Sequence, residues 1–107
     1  MKDLYNRIKN SAKQRGIEFS LTLGDLHDLT IPITCPVLGI PLKKNRGRQS
    51  DNSISVDRID SNKGYSKDNI IIVSWRANFL KSNSSLDEMK KLVIFYEELE
   101  ESRNDKA

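Results

Sequence analysis

Residues 55–69 read Ser55-Val56-Asp57-Arg58-Ile59-Asp60-Ser61-Asn62-Lys63-Gly64-Tyr65-Ser66-Lys67-Asp68-Asn69. They run directly into Ile70-Ile71-Ile72-Val73 and then Ser74-Trp75-Arg76-Ala77-Asn78-Phe79-Leu80-Lys81. Ile54 and Val56 alternate with polar residues as in a half-buried strand, and the run from Ile70 to Val73 supplies a second one. Between them Asn62, Gly64 and Asp68 are turn formers, and a short helix is expected over 74–81. Asp57 then closes the first strand, and Asn78 lies on the helix facing it. A carboxylate and an amide oxygen are hard donors that suit one Mg²⁺ or Mn²⁺. Such an ion stabilises charge on a phosphate while the protein orients water, so the order of elements points to phosphodiester hydrolysis.

Working outward, Leu4, Ile8 and Ala12 share one side of a helix expected over 3–15, which Gly16 stops. Ile17, Phe19 and Leu21 alternate, and a further helix starts near Thr22 with Leu23, Leu26 and Leu29 inward. Pro32, Pro36, Gly39 and Pro41 break residues 30–42 into short extended pieces around a turn at 37–40. Residues 43–52 contain no apolar side chain and form a solvated loop. Ser85 and Glu88 make a capping box for a C-terminal helix with Leu86, Met89, Leu92, Val93, Tyr96 and Leu99 along one stripe. At 107 residues the chain fits one α+β domain. It divides into a helical region (1–30), a hairpin and ββα core (31–83), a last helix (84–102) and a tail (103–107) expected to fray.

No apolar run approaches the ~18 residues of a membrane span. Met1-Lys2-Asp3-Leu4-Tyr5 lacks a signal-peptide core, and the one cysteine, Cys35, suits a reducing compartment, so a cytoplasmic site in a bacterial host is expected. The net charge of +3 favours a polyanionic partner. Its distribution says more: Lys43, Lys44, Arg46 and Arg48 crowd the loop before the first strand, whereas Glu97, Glu98, Glu100 and Glu101 crowd the last helix. Like charges beside a metal site suit phosphate contacts, and Lys63, Lys67, Arg76 and Lys81 are expected to extend that surface.

The pattern of Asp57-Arg58, Gly64, Asn69, and Asn78 with Lys81 three residues on resembles the small His-Me finger, or HNH, endonucleases of phages and mobile elements. The likeness is strongest from Cys35 to about Leu92. It implies a ββα-metal core with a short β-hairpin and flanking N- and C-terminal helices, and a metal held by Asp57 and Asn78. It also implies a bracing role for Asn69 in the loop. The family's general base is the His after the Asp, and this chain has Arg58 there. A guanidinium has no acceptor, so Arg58 fits a phosphate or transition-state clamp instead. Asp60, the lone His27, or a hydroxide on the metal are the alternatives for the base. Many relatives carry two Cys-x-x-Cys pairs on zinc. The matching positions here are Cys35 with Leu38 and Ser74 with Ala77, so no structural zinc is expected. Val37, Leu38, Trp75 and Phe79 are expected to form a small apolar cluster in its place, with Trp75 in the core and Tyr65 packing the loop.

The function this implies is a metal-dependent DNA endonuclease, phage-encoded, nicking its substrate with low sequence selectivity. The alternative is a catalytically inactive ββα domain that binds nucleic acid or a host protein as a phage accessory or counter-defence factor. DNA is the expected partner, with a homodimer or a host or phage protein as the others.

Overall fold

A computed structural model describes residues 1–44 and 47–105. It is an α+β arrangement whose sheet is a two-stranded antiparallel hairpin with helices on either side. Helix α1 spans Lys2–Arg15 and ends on Gly16, whose φ of 66° is the left-handed conformation that closes a helix readily when no Cβ is present. Helix α2, Leu23–His27, is opened by a reciprocal capping box between Thr22 and Asp25. Strand β1 (Ile54–Arg58) pairs with β2 (Ile70–Ser74), setting Ile54 opposite Ser74, Asp57 opposite Ile71 and Arg58 opposite Ile70.

Helix α3, Trp75–Lys81, follows β2 without a spacer. The Ser74 side chain caps it by accepting from the Ala77 N–H at 3.1 Å. Its first N–H groups find carbonyls in the segment before β1, Trp75 on Ser53 (2.8 Å) and Arg76 on Asp51 (3.0 Å). Those bonds satisfy donors that a helix start otherwise leaves to water, and they tie α3 back to the hairpin.

Alternation along β2 sends its side chains to two apolar clusters. Ile70 and Ile72 join Ile8, Ala12, Leu21, Leu26, Val56 and Tyr65, which brings α1 and α2 onto one face of the hairpin. Val73 joins Cys35 and Ala77 on the other, with Ile40 and Leu42 at the margin. The second cluster occupies the place expected for Val37, Leu38, Trp75 and Phe79, but those four are not its members. Val37, Leu38 and Phe79 are exposed, and Trp75 is half-buried and stacked on Phe79 at 5.3 Å. The turn at 36–39 aims Val37 and Leu38 outward while Cys35 points in.

Helix α4 runs over Leu86–Asp105, further than the expected end near 102, so residues 103–105 continue the helix. Ser85 and Glu88 cap it reciprocally (3.1 and 2.9 Å). At about 30 Å, α4 projects from the body. Its apolar middle stays exposed, with Phe95 at 58% and Leu92, Val93, Ile94 and Tyr96 alongside. Among the described residues no helix is long and apolar enough to cross a membrane. Arg46 and the last two tail positions lie outside the described residues.

Candidate functional site at the β1–α3 junction

The hairpin delivers Asp57 to the last turn of α3. Lys81 Nζ donates to Asp57 Oδ2 at 2.8 Å, and the two side chains are only 15% and 12% exposed. The same ammonium donates to the carbonyls of Arg58 and, at 3.4 Å, Ile59. Lys81 is therefore turned into the site, where it caps the C-terminal end of β1, and is not part of an outward cationic surface.

One turn earlier on α3, Asn78 Nδ2 donates to Ser55 Oγ at 2.8 Å and to the Val56 carbonyl at 3.4 Å. With the amide nitrogen committed to β1, the amide oxygen is the group left to coordinate. Asp57 and Asn78 line one cavity of about 290 Å³, together with Arg15, Arg58, Tyr65, Trp75, Phe79 and Ser82. The two expected metal ligands are thus brought together. One carboxylate and one amide oxygen fit an oxygen-preferring divalent ion that takes its other ligands from water and phosphate. No group of three or more His, Cys, Asp or Glu side chains that could hold a metal ion is gathered among the described residues.

The loop between the strands is braced by two buried side chains, Asn69 and Arg58. Asn69 Oδ1 accepts from the Asp60 N–H (2.9 Å), while Nδ2 donates to the carbonyls of Asp60 (3.1 Å) and Gly64 (2.9 Å). Asn69 thus has the bracing geometry implied by the family pattern. Arg58, 8% exposed, donates from Nη1 to the carbonyls of Ser61 and Lys63, both at 2.9 Å, and its guanidinium lies 5.5 Å from the centre of the Tyr65 ring. One face of the expected phosphate clamp is therefore engaged in holding the loop.

Asp60 is not brought to Asp57. Its Oδ1 accepts from the Asn62 N–H at 2.9 Å in a local turn, and it does not line the Asp57 cavity. His27 is exposed on α2 and is likewise absent from that cavity. Neither joins Asp57 and Asn78 in lining that cavity.

The loop cations Lys43, Lys44 and Arg48 are exposed, as are Lys63, Lys67 and Arg76. The Arg76 guanidinium sits 5.9 Å from the centre of the Phe79 ring. Sequence reading missed Arg15, which reaches the Asp57 cavity from α1, and Arg7, which lines the adjoining one. Their spacing on α1 was a visible signal, but nothing in the sequence says which strand that helix face meets.

The four positions that match the zinc ligands of the family do converge. Cys35 Sγ accepts from the Ser74 N–H at 3.3 Å and the Leu38 N–H at 3.5 Å, and Ser74 in turn caps Ala77. Burial pushes the Cys35 thiol up, but hydrogen bonds from Ser74, Leu38 and Val37 outweigh it and lower it from its ordinary 9.0 to about 7.

No family model matches the chain. No solved structure gives a significant match. Among curated proteins the chain is similar to an uncharacterized 29.0 kDa protein from the dda-modA intergenic region of Enterobacteria phage T4, 30% identical over 79 residues. The matched part is 74% of this chain and 31% of that protein, so the chain spans about a third of its relative's length.

Proposed function

We propose that the chain is a metal-dependent nuclease domain of ββα type, encoded by a phage, that hydrolyses phosphodiester bonds in DNA with little sequence selectivity. The observation that carries this is the shared cavity of Asp57 and Asn78, with the Asn78 amide nitrogen held by Ser55 and Val56. The likeness to a phage protein agrees with the proposed source. Asp57 and Asn78 would hold the divalent ion, whose chemistry is to offset charge on the reacting phosphate. Asn69 and Arg58 fix the loop that follows Asp57, and Arg15 offers a planar donor set to a phosphate oxygen entering the cavity. Supercoiled plasmid incubated with EDTA, Mg²⁺, Mn²⁺, Ni²⁺ or Zn²⁺ tests this directly. Nicking that needs metal and disappears in Asp57→Ala is expected, and equal cleavage by that variant would remove the metal assignment.

A second function is favoured by a different observation. Arg58 stands where a base is needed and its Nη1 is committed to two loop carbonyls, while Lys81 already neutralises Asp57. A silent ββα domain that binds nucleic acid or a host protein would need nothing more. Folded protein that shifts DNA in a gel and cleaves with no metal would select it.

A further inference from the structure

We infer that the face of α1 carrying Arg7, Ser11 and Arg15 is a binding track for the phosphodiester backbone of a nucleic-acid strand, leading it to Asp57 and Asn78. The inference rests on the nuclease function proposed above and adds to it a surface outside the ββα core. Residues 7, 11 and 15 recur every four positions, so they form one line along the helix. From Arg7 to Arg15 that line is about 12 Å long, or about three nucleotides at the rise of a stacked strand.

The line forms one wall of a furrow. Arg15 lines the Asp57 cavity. A second cavity, of about 220 Å³, is lined by Arg7, Ser11 and Arg15 on α1 and by Ser55 and Asn78 opposite. The two cavities share Arg15 and Asn78. A third, of about 250 Å³, continues past Arg7 to Lys44. Ile54, Ser55 and Val56 all line the middle part, and a strand presents three consecutive residues to one space only along an edge. The furrow therefore follows the edge of β1 that β2 does not cover.

Charge gives the furrow its ligand. Among the described residues the ion pairs are Lys81 with Asp57 and Lys91 with Asp87, and Arg7 and Arg15 belong to neither. Of the carboxylates lining the furrow, Asp57 is neutralised by Lys81 and Asp3 lies at the far end. A concave wall with cations of one sign concentrates anions. The ordinary solvated face of α1 is elsewhere: Lys9 and Lys13 project about 160° and about 120° around the helix from Arg7. On α1 the guanidinium groups of Arg7 and Arg15, which pair with phosphate in a planar fork, occur on the furrow side, and the ammonium groups of Lys9 and Lys13 occur on the outer side.

The test is fluorescence anisotropy of labelled single-stranded and duplex oligonucleotides across a salt series in EDTA, run beside plasmid cleavage in Mn²⁺. Arg7→Gln with Arg15→Gln should weaken binding about tenfold or more and reduce the slope of log affinity against log salt by about 1.5–2, one phosphate contact per arginine. Lys13→Gln should change neither, and the Arg7→Lys, Arg15→Lys protein should recover most of the slope. A double glutamine variant with wild-type affinity and slope, or one no weaker than Lys13→Gln, overturns the track while wild-type cleavage leaves the nuclease function standing. Wild-type protein that neither binds nor cleaves either substrate overturns both.

Discussion

Lys81 Nζ lies 2.8 Å from Asp57 Oδ2, and the same ammonium holds the carbonyls that end β1. A cation of the chain's own thus occupies one side of the carboxylate proposed to hold a divalent ion. Lys81→Met leaves a largely buried carboxylate without its partner and should cost about 1–3 kcal/mol in urea unfolding without metal. Added Mn²⁺ should raise Tm more in this variant than in wild type, because the ion no longer competes with an ammonium. An equal or smaller rise would mean that Lys81 and the ion do not share Asp57.

Asn69 makes three hydrogen bonds from a buried amide, all to backbone groups of the loop. Asn69→Ala should lose about 2–3 kcal/mol, and metal-dependent nicking should fall with it as the turn after Asp57 loosens. Chemical denaturation paired with the plasmid assay checks both, and a variant as stable as wild type would show that the loop holds itself.

Much of this could be read from the residues. Alternation at Ile54 and Val56, the run at 70–73 and the Ser74 cap gave the hairpin and α3, because short-range periodicity and capping decide those elements. That Asp57 and Asn78 line one cavity also followed, since β2 pairs back on β1 and runs directly into α3. What sequence reading missed depends on contacts between distant segments. Whether Arg58 points to a phosphate or to the carbonyls of Ser61 and Lys63 depends on how the loop folds back. Arg7 and Arg15 became site residues only once α1 had packed against a strand some forty positions later. The cap of α4 was legible from Ser85 and Glu88, but not that its apolar middle would stay exposed.

Cys35 links stability to pH. With the thiol lowered to about 7 from 9.0, its thiolate stabilises the fold fully above the unfolded value, and that contribution is lost as pH falls through about 7. The stability advantage of wild type over Cys35→Ala should therefore widen from pH 6 to pH 9, measured by denaturant midpoints under reducing conditions. A constant gap would show that Cys35, 1% exposed, contributes only by packing and by accepting the Leu38 and Ser74 N–H groups.

The exposure of α4 separates its apolar side chains from the core. Leu92→Glu and Phe95→Lys should change thermal stability by less than about 0.5 kcal/mol, whereas Leu26→Ala, fully buried, should cost about 2–5 kcal/mol. Large losses from either α4 change would mean that this helix is covered in solution.

Gly64 meets the segment after α1 so closely that a Cβ there would stand 2.4 Å from the Glu18 carbonyl oxygen. Around it Tyr65 N–H donates to Glu18, Ser20 N–H donates to Tyr65, and the Phe19 and Tyr65 rings lie 6.1 Å apart. The loop after Asp57 is therefore stitched to the N-terminal segment, and Gly64→Ala should break that seam at a cost of about 1–3 kcal/mol. This sets the size of the portable module. A graft that began at the hairpin would leave the backbone groups of Tyr65 without their partners and one wall of the furrow missing. The smallest piece that another protein could borrow with its site intact starts at α1.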